Sequence, residues 1–268
     1  MSANPLDSVI FITLPDDYEL PKEALKIDTT IPLPVQTPDG NAKNFNPKEL
    51  TWEMILAGIL TILAYEQDNP NIQYYRSLVK TTKPNIKSEL TEAAILKAKN
   101  EDWDIAEEIF AALRGLEPED SVTILNSALF FDQKAESYRN SGLNEDADAY
   151  DELAFDYYKK ALVTEPPLPD AFFNVSFFYL KQKNYKKARE CFETYLELTK
   201  VDDETKLSEN ESYKRERAKE IVDDISNRNL EDELFKSAYD FIKMEQEEKA
   251  LEKIREFLQK NPKVWNAW

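Results

Sequence analysis

Residues 169–200 read PDAFFNVSFFYLKQKNYKKARECFETYLELTK, and this stretch decides the fold. Apolar residues recur at helical spacing in two segments, about 170–182 and about 185–198. Lys183 and Asn184 lie between the two segments as a turn. Each segment has one apolar face, which a lone helix cannot bury. The pattern therefore predicts an antiparallel helical hairpin that packs on a further hairpin.

Small and aromatic residues of this stretch follow the spacing of a known repeat. When Ala188 is placed at position 20 of a 34-residue helix-turn-helix, Phe192 takes position 24 and Tyr195 takes position 27. Positions 4, 7, 8 and 11 are then filled by Phe172, Val175, Ser176 and Tyr179. In these residues the stretch resembles the tetratricopeptide repeat (TPR) family, although Ser176 replaces the usual Gly and Lys200 the usual Pro.

The same series recurs along the chain. Further copies contain Ala106, Phe110, Leu113 and Pro118; Ala154, Tyr158, Ala161 and Pro166; and Ala250, Ile254, Phe257 and Pro262. A weaker copy ends at Pro84, and Pro84 and Pro118 are 34 residues apart, as are Pro166 and Lys200. We predict repeats near 53–84, 87–118, 121–166, 169–200 and 231–262.

Two intervals are longer than the 34-residue period. Pro118 and Pro166 are 48 residues apart, an excess of 14 that we interpret as about two added turns on each helix of an elongated repeat 121–166. The 62 residues between Lys200 and Pro262 are interpreted as holding an inserted helix at 209–228. Residues 265–268 begin a truncated repeat.

The predicted fold class is therefore all-α. We expect a TPR-like right-handed superhelical solenoid of helix hairpins over residues 47–268, preceded by an extended Pro-rich N-terminal arm over residues 1–46. A plain all-α bundle is the alternative. The two 34-residue intervals with Ala, aromatic and Pro in register favour the repeat.

The N-terminal arm differs in composition from the rest of the chain. Its many prolines exclude a helix, while the run 8–14 is β-like. We expect the arm to cover an apolar surface of the first helix, and a disordered linker is the alternative. That helix is predicted to begin at Pro47 with Asn46 as its N-cap. Its run 54–63 is apolar nearly all round, which predicts burial between the arm and the next helices.

Composition argues against several classes of function. The net charge of −18 disfavours binding to nucleic acid and to anionic membranes. The chain has no His, no Gly-rich phosphate loop and one cysteine, Cys191, which we expect to be a small buried hydrophobe. We therefore expect no enzyme activity, no cofactor and no metal. The lone cysteine and the lack of a secretory signal favour a cytoplasmic protein.

The resemblance implies a non-catalytic interaction scaffold or adaptor that binds a peptide or helix of a partner protein in a concave groove. A structural subunit of a larger assembly, which uses its convex face and solenoid end, is the alternative. The repeat pattern implies as groove residues Leu125, Asn126, Leu129, Phe173, Asn174, Phe177, Lys181, Phe235, Lys236, Tyr239 and Lys243.

These groove residues have distinct expected roles. Asn126 and Asn174 occupy the same repeat position, and an amide there suits a peptide backbone. The aromatic residues would be apolar anchors and the lysines would bind an acidic group. Simple packing of the aromatics against neighbouring helices is the alternative. At the chain end, Trp265 and Trp268 predict self-association or continuation into a longer repeat protein.

Overall fold

The computed structural model describes residues 4–14, 27–37, 49–201, 206–243 and 246–260, except for the side chains of 229–235, 241 and 260. This part of the chain is mostly helical, with one pair of short strands. The chain divides into two compact units, Met1–Leu168 and Pro169–Trp268. The predicted N-cap Asn46 and the C-terminal Trp265 and Trp268 lie outside the described residues.

The first unit opens with a 3₁₀ turn at Pro5–Ser8 and the strands β1 (Val9–Ile12) and β2 (Leu33–Gln36). Its helices are α1 (Trp52–Tyr65), α2 (Ile72–Thr82), α3 (Ile86–Lys99), α4 (Trp103–Leu116), α5 (Ser121–Asn140) and α6 (Asn144–Leu162). The second unit contains α7 (Pro169–Lys181), α8 (Tyr185–Leu198), α9 (Glu209–Lys243) and α10 (Glu247–Lys260).

The two strands form an antiparallel pair in which Phe11 lies opposite Pro34. The Thr37 amide donates to the Ser8 carbonyl at 2.9 Å, so Ser8 and Thr37 form a hydrogen-bonded pair. Because such pairs alternate along an antiparallel ladder, Phe11 and Pro34 form a non-hydrogen-bonded pair, where the missing amide of proline costs no ladder bond. The sequence analysis anticipated β-structure in the first strand but expected only an extended arm at the second.

On two sides of helix α1, a neighbouring element packs so closely that there is no room for a Cβ atom between the two backbones. An added Cβ at Gly58 would lie 2.5 Å from the Pro34 carbonyl oxygen of β2. An added Cβ at Gly115 of α4 would lie 1.8 Å from the Leu63 carbonyl oxygen of α1. Most apolar residues of this run are buried, while Met54, Ala57 and Leu60 are half-buried, so the predicted burial of the run is confirmed for most of its length.

The first turn of α1 corrects the predicted helix start. The helix begins at Trp52, five residues after Pro47. The Thr51 side chain accepts a hydrogen bond from the Met54 amide at 3.3 Å, which makes Thr51 the N-cap. Threonine satisfies an otherwise unpaired amide of the first turn, which is the role that the sequence analysis assigned to Asn46.

Helix α2 connects the strand pair to α4. The buried Tyr75 hydroxyl donates to the Pro32 carbonyl at 2.7 Å. The Arg76 Nε donates to the Gly115 carbonyl at 2.6 Å. In addition, α1 packs more extensively against α4 than against α2, its neighbour in the chain. The segment predicted as the repeat near 53–84 therefore has its main contacts outside a simple two-helix hairpin.

Helices α5 and α6 form the longest hairpin of the first unit. They have 20 and 19 residues, compared with 14 and 14 for α3 and α4. The added length of α5 and α6 accounts for most of the 14 residues by which the interval from Pro118 to Pro166 exceeds the repeat period. Gly142 in the connecting turn has a φ of 80°, a conformation that glycine adopts without a steric penalty.

A buried ammonium group joins this hairpin to α4. Lys134 of α5 is only 2% exposed, and its Nζ lies 2.6 Å from Glu107 Oε2 on α4 and 4.3 Å from the Tyr150 ring centroid on α6. Burial acts to lower the pKa of Lys134, but hydrogen bonds to Glu107 and Tyr150 outweigh it and raise the pKa overall. The charge is therefore kept, and it links three helices.

The second unit corrects the predicted break between an inserted helix and the repeat 231–262. Helix α9 runs without interruption for 35 residues. Its N-terminal half packs on α8, where Arg215 Nη1 donates to the Leu196 carbonyl at 3.0 Å. The same helix α9 also packs on α10. The physical reason is that no Gly or Pro occurs between Glu209 and Lys243 to end the helix.

We expect Gly115→Ala to destabilise the first unit, although alanine has the higher helix propensity by about 1 kcal/mol. The new methyl group would meet the Leu63 carbonyl and push α1 away from α4. The free energy of unfolding should fall by about 3 kcal/mol. Urea denaturation followed by circular dichroism measures this change.

Gly142→Ala is the matched control for that substitution. Nothing lies within 4 Å of an added Cβ at Gly142, so only the positive φ opposes alanine there. The Gly142→Ala substitution should lower the free energy of unfolding by about 1 kcal/mol. If the Gly115 variant were as stable as wild type, the close contact between α1 and α4 would be refuted.

Candidate partner-binding surface

Three of the predicted groove residues share one face of α7. Asn174, Phe177 and Lys181 follow each other at spacings of three and four residues, which places them on the same side of a helix. Asn174 is half-buried, whereas Phe177 and Lys181 are exposed, Phe177 by 37%. We call these three residues the α7 surface.

The exposed ring of Phe177 lies on a packed aromatic cluster. Its centroid is 5.1 Å from that of Phe173 and 5.2 Å from that of Phe192, with the rings inclined at 71° and 89°. The Phe173 ring lies 5.0 Å from the Tyr195 ring on α8. Phe173, Phe192 and Tyr195 are all buried. The Phe177 ring is therefore supported on its inner side by edge-to-face contacts with two buried rings.

The aromatic residues of α7 were predicted either to bind a partner or to pack against neighbouring helices, and the cluster shows a different environment for each ring. Phe173 is buried in the hairpin, so it packs rather than presenting a contact surface. Phe177, one turn further along α7, is the ring that reaches solvent. Helical periodicity alone did not separate the two.

The polar members of the α7 surface already have contacts within the chain. The Asn174 Nδ2 donates to the Asp170 carbonyl of its own helix at 2.7 Å. The Lys181 Nζ lies 5.3 Å from the centroid of the Phe178 ring. The Asn174 amide is therefore partly used within its own helix, which leaves it fewer hydrogen bonds for the peptide backbone that the sequence analysis expected it to bind.

A pair of charged residues, which sequence reasoning missed, ties the start of α9 to α7. The Lys214 Nζ lies 2.8 Å from Asp170 Oδ1 and 5.6 Å from the centroid of the Phe173 ring. These residues are 44 positions apart in the chain, and no local pattern links them. The contact places Lys214 beside the aromatic cluster.

The last group of predicted residues lies at the far end of α9. Lys236, Tyr239 and Lys243 are exposed on one face, and the Lys243 Nζ lies 4.8 Å from the Tyr239 ring centroid. The side chain of Phe235 lies outside the described residues. Tyr239 is 25 residues beyond Lys214 on the same helix, a rise of about 37 Å. The structure therefore does not bring Tyr239 beside Phe177.

The predicted residues of the first unit occupy α5. Asn126 and Leu129 are half-buried and share a stripe with the exposed Val122. Leu125, one position away from this stripe, is only 5% exposed and belongs to the interior of the unit. Leu125 therefore has almost no surface to offer a ligand, in contrast to its predicted position in a groove.

The single cysteine is poorly suited to nucleophilic chemistry. Burial, with a smaller contribution from Glu190, raises the pKa of the Cys191 thiol from 9.0 to about 11. The thiol is therefore protonated at neutral pH, and the thiolate is the reactive form. Among the described residues, no three His, Cys, Asp or Glu side chains are placed to hold a metal ion.

Two comparisons with known proteins give no match, so the proposed function is argued from the side chains described above. A scan against models of known protein families finds no match. A comparison with curated protein sequences finds none either. Within the described ranges, no helix combines the length and the apolar character needed to cross a membrane.

We expect Cys191 to react slowly with a thiol reagent such as 5,5′-dithiobis(2-nitrobenzoic acid). At about pH 8 its thiolate fraction should be roughly a hundredfold below that of an ordinary exposed cysteine, because the raised pKa keeps the thiol protonated. The reagent releases a coloured aromatic thiolate as it reacts with Cys191, and the increase in absorbance gives the reaction rate. The same protein unfolded in urea is the control, and equal rates in both states would contradict the burial of the thiol.

Proposed function

We propose that this chain is a non-catalytic interaction protein of the TPR type, which binds an extended segment or helix of a partner protein at the α7 surface. The observation that carries the proposal is the Phe177 ring, which is exposed to solvent but fixed by the buried rings of Phe173 and Phe192. No cofactor and no chemical step is part of this proposal.

The position of Phe177 favours binding on energetic grounds. A side chain that orders on binding costs about 0.5–1.5 kcal/mol in lost conformational freedom. The Phe177 ring is already ordered by its edge-to-face contacts, so most of this cost is absent. Aromatic side chains of this kind dominate the binding energy of many protein interfaces.

Charge gives a second feature of the proposed ligand. The chain carries a net charge of −18, yet the α7 surface itself has the ammonium group of Lys181 beside Phe177. An apolar residue of the partner would cover the Phe177 ring, and a neighbouring carboxylate would approach Lys181. An acidic amphipathic segment fits this combination.

The end of α9 supports a separate contact. Tyr239 and Lys243 repeat the combination of an exposed ring and an ammonium group. An extended partner would need about eleven residues to follow α9 from Lys214 to Tyr239, because a strand rises about 3.3 Å per residue. The two contacts are therefore proposed as independent sites for one long partner.

An observation at α6 is the starting point for the structural-subunit alternative. Leu153 of α6 and Val163, which directly follows the helix, are exposed apolar residues, and Val163 is 77% exposed. A permanent assembly would bury these side chains if they belonged to a larger apolar patch. In that case the chain would be a structural subunit whose partner covers the outer side of α6. Either function suits the cytoplasm, where the lone thiol stays reduced.

The experiment is affinity capture of the tagged full chain from lysate of its own cells, with bound proteins quantified by mass spectrometry. Phe177→Glu should reduce the captured partner at least about tenfold, because a charge replaces the apolar anchor. Circular dichroism of each variant confirms that helicity is kept. Tyr239→Glu should lower capture less, since its site is separate.

Two further variants make the result specific. Ile105→Glu alters an exposed apolar residue of α4 outside both surfaces and should leave capture unchanged. Leu153→Glu combined with Val163→Glu tests the alternative. If this double variant lost the partner while the Phe177 variant kept it, the α7 surface would be rejected in favour of the structural subunit.

A further inference from the structure

The two-stranded sheet of the first unit has two edges, and β2 provides one of them. Pro34 lies in the middle of β2 and has no amide to offer at that edge. The Pro34 backbone also faces α1 so closely that a Cβ at Gly58 would lie 2.5 Å from the Pro34 carbonyl oxygen. The edge of β2 is therefore both covered by a helix and poor in hydrogen-bond donors.

The outer edge of β1 has the opposite character. Ser8 and Thr37 form a hydrogen-bonded pair, so the alternation along the ladder turns the backbone groups of Val9 and Phe11 away from β2. The Val9 amide donates to the Leu6 carbonyl. In the part of the chain that the structure describes, the amide and carbonyl of Phe11 have no hydrogen-bond partner.

The sequence of β1 lacks the usual protection of a free edge. Natural sheets blunt their edges with Pro, Lys or other charged residues and with bulges. The strand Val9–Ile12 reads VIFI and contains none of these residues. The Phe11 side chain is 47% exposed, so it is available beside the open backbone groups.

We propose that the outer edge of β1 binds an extended segment of a partner protein as a third strand. Backbone hydrogen bonds to Phe11 would set its conformation, and an apolar side chain would cover the Phe11 ring. The exposed Asp7 precedes the strand and the chain carries a net charge of −18, so the segment should carry Lys or Arg at its ends.

A second copy of this chain is the less suitable occupant. Each copy carries a net charge of −18, so two copies repel each other on approach. A basic segment gains from the charge that opposes self-pairing. This site is separate from the α7 surface and does not depend on it.

The test uses the full chain and a fluorescent peptide of about eight residues that alternates Val and Thr and has Lys at both ends. Fluorescence anisotropy measures its affinity. Phe11→Pro should weaken binding at least about tenfold, because proline removes the outward amide while leaving the ladder to β2 intact. Phe11→Val keeps the amide and should weaken binding less than about threefold.

A second measurement on the wild-type chain does not rely on the folding of a variant. The same peptide with N-methyl groups on alternate amides cannot form the strand bonds and should lose binding at least about tenfold. Failure of the unmodified peptide to bind, or equal binding of the methylated and unmodified peptides, would overturn the proposal. A dimer in analytical ultracentrifugation that Phe11→Pro abolishes would also overturn it, in favour of a second copy.

Discussion

The first unit depends on two contacts in which backbone meets backbone at helix α1. Gly58 allows β2 to approach one side of the helix, and Gly115 of α4 approaches the Leu63 carbonyl on the other. Neither contact tolerates a Cβ, so the distance between these elements is set by glycine rather than by side-chain size. Because α1 is then enclosed on two sides, most of its apolar residues are buried although they occur nearly all round the helix. The strand pair, and with it the outer edge of β1, is held in place by the same enclosure.

The second unit is organised by aromatic packing instead. The rings of Phe173, Phe192 and Tyr195 pack inside the hairpin of α7 and α8, and the rings of Phe173 and Phe192 contact the exposed ring of Phe177. Lys214 adds the start of α9 to this arrangement through its contacts with Asp170 and Phe173. A fixed exposed ring beside a positive charge is the reason for proposing the α7 surface as a partner-binding site.

Local patterns predicted local structure, and they failed where distant residues meet. The helix at 185–198 matched α8 at both ends because its apolar spacing is regular and Asn184 caps it, accepting from the Lys187 amide at 3.3 Å. The pairing of β2 with β1 and the contact between Gly115 and Leu63 join residues far apart in the chain, so no period reveals them. The expected break in α9 came from imposing a repeat length on a segment without a helix-breaking residue. Among the predicted groove residues, the repeat pattern counted the buried Leu125 and Phe173 together with the half-buried Asn126 and Asn174 next to them, because repeat positions do not report the depth of each side chain.

Hydrogen exchange of the backbone amides, read by mass spectrometry or nuclear magnetic resonance, tests most directly whether α1 is the enclosed centre of the first unit. The amides from Ile59 to Leu63 should be among the slowest of that unit and should exchange only when the whole unit unfolds, with the same free energy of opening as α4. If these amides instead exchanged at a lower free energy than α4, so that α1 opened while α4 stayed folded, the enclosure of α1 between β2 and α4 would be contradicted.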